Sequence, residues 1–558
     1  MASKSPHPRR VANSEHLEAL GTAIERRFSS KSSRQGKSSG GRRRRVRWGR
    51  LVVFSVLGLV LVLVLGVAAD YFYLGSKINH THVNNLQSAT GPENILLVGS
   101  TDRCALKVQN KAYGLCQDGV NGINSDIVMV VHVNPATRQL ALLSIPRDLF
   151  VPNARQTGAN KIDAALYEGP SQLAAAIEED FAIPINHYVE LNFDTFASVV
   201  NALGGVYMYF PVPIFDAESG LNIAHPGCYL LNGYHALQVV RARHLQIQNI
   251  PSNHDFRTWP QEAESDIARI RRTHEFLRVL AAKVASRGLG DPFTDQSIVS
   301  SVIGSLQVDQ NFSENHMISL ARDFATANIA NIPQLTYPVV EVQTGSLLYQ
   351  GYYYGDVEFP IQPGVTQTID RFLDVGADIN TMDGKSLPAS STITVSVLNG
   401  TGVANQQHIV AAGLRRRGFV IHGVGTATPF GVREETVVYH ANNSAASLAD
   451  AQTVLHTIEG PAVMALGRTT AGADVTVLTG SDVSVIAPPH TTTTTTTTPK
   501  RKHHGSPTTT TTRPVTQITV VDPAGVKHDT DLSAPTDVTQ ALQPWDPRSC
   551  GPNGTEGP

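Results

Sequence analysis

The stretch QLALLSIPRDLFVP (139–152) runs from an apolar segment straight into a charged pair, Arg147 and Asp148. Its first half reads as a strand buried on both faces. A charged pair at the mouth of a buried strand is costly unless partners or a ligand meet it. The rest of the chain offers candidates for both.

Similar strand-like segments lie on either side: NILLVGS (94–100), DIVMVVHV (126–133), HYVELNF (187–193) and GVYMYFP (205–211). Between the later ones, PSQLAAAIEEDF (170–181) and DTFASVVNALGG (194–205) carry apolar stripes of helical period. The second opens on a capping Asp and closes on Gly. A longer helix is expected from about 265 to 285. Together these predict a layered α/β domain with a central, mainly β sheet flanked by helices.

Charged residues recur where strands end or helices turn inward. They are Asp102 and Arg103 in GSTDR, Asp126 in NSDIVM, Arg147 and Asp148, Lys161 and Asp163 in ANKIDAA, Arg241 and Arg243 in VVRARH, and Asp266, Arg269 and Arg272 in SDIARIRRTHEF. Converging arginines suit phosphate groups, which guanidinium forks grip bidentately, while carboxylates hold a divalent metal or orient an attacking hydroxyl. On an ideal helix Asp266, Arg269 and Thr273 form one stripe, with Arg272 to one side and Arg271 on another side, outside the site. The bland alternative for this helix is a solvated charge face. Arg241 and Arg243 weigh against it, because they continue ALQVV in period-2 alternation and would point the same way.

The chain has 558 residues, 41% of them hydrophobic, enough for one large core and a second smaller one. Its net charge of −2 hides a split, because residues 1–50 hold 14 Lys and Arg against three Asp and Glu. We expect a disordered basic cytoplasmic tail over 1–50, a transmembrane helix over 51–70 and a stalk over 71–92. The run LVVFSVLGLVLVLVLGVAA (51–69), flanked by Arg42–Arg45, is the basis for a single-pass signal-anchor in the cell membrane, N-terminus inside and the rest extracytoplasmic. A cleaved signal peptide and a buried core helix are the competing readings of this run. The basic tail beside it points to lipid, with no nucleic acid expected. Cys104 and Cys116 flank one loop and are expected to be bridged, whereas Cys228 and Cys550 are left open between pairing and free thiols.

After a connecting segment (341–390), TITVSVLNGTG, a helical VANQQHIVAAGLRRRGF, TVVYH and ADVTVLTG predict a small α/β C-terminal domain over 391–485. The Thr/Pro-rich remainder, 486–558, is expected to be a disordered tail. The chain contains neither G-x-S-x-G nor H-E-x-x-H.

The ordered series NILLVGSTDR, SDIVMVVHVNP, LLSIPRDLFV, GANKIDAAL, IPINHYVELNFDTFASVVNALGGV, LNGYHALQVVRARH and DIARIRRTHEFL resembles the LytR-CpsA-Psr (LCP) cell-wall proteins. VSVLNGTGVANQQHIVAAGLRRRGF resembles the small LytR C-terminal domain. The resemblance implies an LCP-type catalytic domain over 93–340. Its activity would be that of a polyprenyl pyrophosphate-dependent phosphotransferase, moving a glycopolymer from its lipid carrier to peptidoglycan through a phosphodiester bond. It further implies Mg²⁺ or Mn²⁺ at Asp102 and Asp126. Arg103, Arg147, Arg241, Arg243, Arg269 and Arg272 would surround the pyrophosphate, with Asp148, Lys161 and Asp266 as supporting groups. The catalytic set implied is Asp102, Asp126, Arg147, Arg241, Arg243 and Asp266. The expected partners are the polyprenyl pyrophosphate-linked glycopolymer, peptidoglycan and the cytoplasmic membrane. Two positions depart from the family pattern: Asn124 stands where Arg is common and Thr273 where Gln is common. The rival readings are a non-catalytic wall-polymer-binding or regulatory protein, and a pyrophosphatase acting on the same donor.

Overall fold

Residues 139–145 form one strand of a seven-stranded mixed sheet. In chain order its strands are β1 (Asn79–Thr81), β2 (Glu93–Ser100), β3 (Ser125–Asn134), β4 (Gln139–Ile145), β5 (His187–Leu191), β6 (Gln307–Asp309) and β7 (Gln334–Thr336). They lie in the order β1-β6-β5-β2-β3-β4-β7. The pairs β2 with β3 and β3 with β4 are antiparallel, and β5 runs parallel to β2. The computed structural model describes residues 79–89, 91–104, 106, 115–118, 122–263, 265–286, 306–324, 332–341, 347–428, 434–488, 520–521, 527–528 and 541–551. All of them belong to one compact unit, Tyr71–Pro558.

One face of the sheet is covered by α1 (Pro170–Phe181), which begins on Pro and ends where Ala182 turns left-handed, φ 53°. Its Leu173 and Ile177 pack in one core with Leu96, Val130 and Leu143 of the sheet. A second core gathers α2 (Phe193–Ala202), α3 (Gly233–Arg241) and part of α4 (Ser265–Ser286) around strand Val206–Phe210. The cap of α2 is Asn192 rather than Asp194, its Oδ1 accepting from Thr195 N at 2.9 Å. The helix α2 presses so closely on α3 that a Cβ on Gly233 would lie 2.3 Å from Ala197 O.

The alternation expected through ALQVVRARH is corrected: Gly233–Arg241 is helical, capped by Asn232, whose Oδ1 accepts from His235 N. Burial of Ala236, Leu237, Val239 and Val240 against α2 and the adjoining strands outweighs the local β preference of the valines. Ala242 then returns to extended backbone, so Arg241 and Arg243 straddle the helix end.

The second sheet runs in the order Val339–Glu341, Glu358–Gln362, Ile458–Leu466, Thr436–His440, Val475–Thr479, Thr394–Asn399 and Val420–Thr426, with Ser484–Val485 paired to Ile458–Leu466. The stretch read as a connection, 341–390, contributes Glu358–Gln362 to this sheet and a helix, Gly364–Leu373. Val437, Val463, Ala465 and Leu478 enter the same core as α1, so the two sheets share apolar packing.

Part of the Thr/Pro-rich stretch is also corrected. Within 541–551, Arg548 and Ser549 pair antiparallel with Tyr209 and Met208, and Cys550 is bridged to Cys228. Composition described the stretch on average, whereas Asp546 and Cys550 have specific partners. The expected Cys104–Cys116 bridge is present.

The single-pass membrane topology is corrected as well. Among the described residues no helix is long and apolar enough to cross a membrane. The longest, α4, carries Asp266, Arg269, Arg271, Arg272, Glu275, Arg278 and Lys283. The apolar run 51–69 and the basic segment 1–50 lie outside the described residues.

Candidate active site

The C-terminal ends of β2 and β5 and the start of β3 open onto a cavity of about 300 Å³. Its apolar wall is built from α2, α3 and α4, with Phe196, Val200, Leu237, Phe276, Leu277 and Leu280 facing inward. Its polar end is lined by Arg103, Asp126, Arg147, Arg241, Arg243 and Arg269. The helices expected over 170–181 and 194–205 divide here, because α1 packs in the core behind the sheet while α2 lines the cavity.

The pair that opened the sequence reading has partners of its own. Arg147 Nη1 donates to Asp126 Oδ1, and Arg147 Nε lies 3.4 Å from Asp148 Oδ2. Asp148 also accepts from Lys161 Nζ at 2.7 Å and Arg243 Nη2 at 2.8 Å. Arg243 Nε is 3.3 Å from Asp266 Oδ1, and Asp266 takes the fork of Arg269 at 3.0 and 3.2 Å. Asp148 and Asp266 are thus the posts on which three arginines are strung. Arg241 reaches the cavity another way, its guanidinium 4.8 Å from the Phe193 ring centroid, with Arg103 at 5.9 Å from the same ring.

Burial opposes the charge on Arg147, but Asp126 and Asp148 outweigh it and raise its pKa further above neutrality. Burial would likewise raise Asp148, and Arg147, Lys161 and Arg243 together hold it below the usual carboxylate range. Two carboxyls behind this row behave differently. Burial pushes Asp163 up to about 7, and burial with the nearby Asp266 and Asp148 pushes Glu358 up to about 8. At neutral pH Glu358 keeps its proton and Asp163 is only partly ionised, so neither sets a full negative charge behind the arginine row.

Two expected site residues, Arg272 and Asp102, stand elsewhere. Arg272 is corrected: its side chain is fully buried, donates to Glu262 Oε2 and to Ala242 O, and faces away from the cavity. On α4 it is a near neighbour of Arg269, three residues on, and its ion pairs with Glu262 and Asp546 take it into the core. Arg271, expected to be a bystander, is also buried, between Glu262 and Asp546. Asp102 accepts from Cys104 N at 3.0 Å and is not among the residues lining the cavity. Thr273 does line it, its hydroxyl donating to Arg269 O. Asn124 O accepts from Thr101 N at 2.9 Å and Asn124 N donates to Thr101 Oγ1 at 3.0 Å, beside the start of β3.

Sequence reasoning missed Phe193 and Glu358. Phe193 closes the strand-like run HYVELNF, where it carries no charge to mark it. Glu358 is a single acid in a segment read as a connection, and it meets the site because its N–H donates to Asp148 O at 3.0 Å. A metal ion could be held at a different place: among the described residues Glu93, His187 and His316 bring one ligand atom each within 4.8 Å of one another.

The family model described as LytR_cpsA_psr matches residues 70–359, and that of the LytR cell envelope-related transcriptional attenuator matches 392–482. The chain is similar to the probable cell wall biosynthesis protein LcpB of Corynebacterium glutamicum, 32% identical over 296 residues, covering 52% of this chain and 64% of that protein. It thus spans less than two thirds of that relative's length. It is 25% identical over 455 residues to the cell wall biosynthesis protein LcpA of the same organism, covering 72% of this chain and 82% of that protein. It is 24% identical over 282 residues to the polyisoprenyl-teichoic acid–peptidoglycan teichoic acid transferase TagU of Bacillus anthracis, covering 49% of this chain and 83% of that protein.

Proposed function

The chain belongs to the LytR_cpsA_psr family, and from that premise we propose that it transfers a glycopolymer from a polyprenyl pyrophosphate carrier to peptidoglycan through a phosphodiester bond. The observation that carries this reading is the two-natured cavity, with arginines at one end and a wall of Phe196, Val200, Phe276, Leu277 and Leu280 at the other. That is the shape of an amphiphile with an anionic head and an apolar chain. The activity named for TagU, transfer of teichoic acid from a polyisoprenyl-linked form to peptidoglycan, supports it.

In this reading the acceptor hydroxyl attacks the phosphorus next to the sugar. A new P–O bond forms to the acceptor, the bridging P–O bond of the pyrophosphate breaks, and polyprenyl monophosphate leaves. Arg147, Arg243 and Arg269, held by Asp148 and Asp266, neutralise charge on the leaving phosphate and the equatorial oxygens. Arg241 and Arg103, set against Phe193, serve the outer phosphate. The hydroxyl proton passes to Asp126, the carboxylate bonded to Arg147 within the cavity. Asp126 also offers the hard oxygen ligands that suit Mg²⁺ or Mn²⁺ alongside substrate phosphates, and Asp102 follows Thr101, which is hydrogen-bonded to Asn124, two residues before Asp126. When bound, such an ion would add Lewis-acid polarisation of a phosphoryl oxygen.

Incubating the purified chain with a labelled lipid pyrophosphate-linked glycan and peptidoglycan tests the proposal. Label recovered in peptidoglycan supports transfer. Free glycan phosphate without transfer points to the pyrophosphatase, and retention of intact donor points to the wall-binding reading.

A further inference from the structure

Glu93 and His187 are the first residues of the parallel neighbours β2 and β5, whose far ends reach the cavity. About six residues of strand, roughly 20 Å, separate the two ends. At this remote end His316 comes down from the helix Glu314–Phe324 and sets Nε2 2.9 Å from Glu93 Oε1. His187 Nε2 stands 3.4 Å from Glu93 Oε2. We infer that Glu93, His187 and His316 form a binding site for a zinc-class divalent cation, separate from the phosphate-facing cavity.

Four observations support the site. Glu93 is 3% exposed, and its Oε2 meets no donor nearer than His187 Nε2 at 3.4 Å, so a buried carboxylate oxygen is aimed at the cluster with room left beside it. The 3.4 Å gap to His187 Nε2 matches the edge of a tetrahedron whose bonds are about 2.0 to 2.1 Å, the zinc distance to imidazole and carboxylate. The other nitrogen of His187, Nδ1, lies 3.0 Å from Asp309 Oδ2, the carboxylate–histidine arrangement that orients a metal-bound imidazole. Asp309 is itself fixed, accepting from Tyr188 N at 2.9 Å and Asn311 N at 2.8 Å. Finally, the His187 ring is stacked on Phe312 with centroids 4.1 Å apart, which holds its plane in place.

The donor set selects the ion. Two imidazoles and one carboxylate suit Zn²⁺, Co²⁺ or Ni²⁺, whereas Mg²⁺ prefers an all-oxygen octahedron. The side chain of His316 is 36% exposed, so a fourth position is open to water. The ion would clip the helix Glu314–Phe324 to the starts of β2 and β5, the first of them 223 residues away in the chain. This inference does not depend on the transferase reading.

The test uses the full chain, stripped with chelator and titrated with zinc by calorimetry, then with cobalt followed by visible absorption. One zinc per chain is expected at this site, unaffected by millimolar Mg²⁺, together with a d–d band of four- or five-coordinate cobalt. His316→Ala, on the half-exposed helix face, should weaken that binding at least about tenfold and abolish the band, and Asp309→Asn should weaken it about 10- to 100-fold. Circular dichroism of each variant establishes that it is folded. Zinc bound by His316→Ala with wild-type affinity, or a wild type that takes up none, overturns the assignment.

Discussion

Arg271 Nε donates to Asp546 Oδ2 at 2.5 Å, joining α4 to a segment 275 residues further on, with both side chains buried. Around them Arg272 and Trp545 Nε1 both donate to Glu262, and Ser549 N donates to Glu275 Oε1 at 3.0 Å. The segment 541–551 lies beyond both family-matched ranges, yet it braces the helix that presents Arg269, Thr273 and Phe276 to the cavity.

Removing Asp546 should therefore cost much more than a surface charge. Asp546→Ala leaves two buried arginines to share Glu262, and we expect a loss of about 3 to 5 kcal/mol in denaturant unfolding. A loss below about 1 kcal/mol would show that 541–551 does not brace α4.

The two bridges predict a simple chemical map. Proteolysis without reduction should yield crosslinked peptides containing Cys104 with Cys116 and Cys228 with Cys550. Free thiol at Cys550 would detach the C-terminal segment from strand Gly227–Leu231. Replacing Cys228 and Cys550 by Ser should lower stability by about 2 to 5 kcal/mol, since the bridge closes a very long loop.

The arginine row gives the activity prediction. Arg147→Ala or Arg243→Ala should reduce glycan transfer about 10²-fold or more while the protein stays folded, because each removes charge that meets the transferring phosphate. Arg257→Ala, whose side chain is 78% exposed, is the control and should retain most transfer. Arg271→Ala cannot serve as that control, because its loss would unfold the brace. Equal losses for Arg257→Ala and Arg147→Ala would place the chemistry elsewhere.

Glu358 carries the pH dependence. Its folded pKa is about 8, above the ordinary 4.5, owing to burial first and then to Asp266 and Asp148. Between those values the unfolded chain releases a proton that the folded chain keeps, so stability falls as pH rises from about 5 to 8. Glu358→Gln should flatten that fall, raising stability at pH 8.5 relative to wild type by at least about 2 kcal/mol. Donor binding to wild type should weaken as pH passes through about 8, where the folded carboxyl ionises and offsets the arginines. A Glu358→Gln profile parallel to wild type in both measurements would refute the assignment.

Sequence by itself determined the elements and the chemistry class. The apolar runs of β2, β3 and β4, the stripe of α1 and the long α4 are local patterns of period 2 or 3.6, written by which face is buried. The residue types of the site were legible for the same reason, since arginines and aspartates at strand ends announce an anion. Tertiary structure alone decided which of them face the anion. Arg269 and Arg272 are near neighbours on one helix, and only the contacts of α4 with Glu262 and Asp546 assign one to the cavity and the other to the core. Arg241 and Arg243 read alike as strand residues, but burial of Leu237 and Val240 makes Gly233–Arg241 a helix, with Arg241 at its end and Arg243 beyond it. The partnerships of Glu358 with the Asp148 backbone, of Asp546 with Arg271 and of His316 with Glu93 link residues about 210 to 275 positions apart. No short-range pattern encodes such contacts, because they arise from sheet order and helix docking, which follow from the packing of the whole chain.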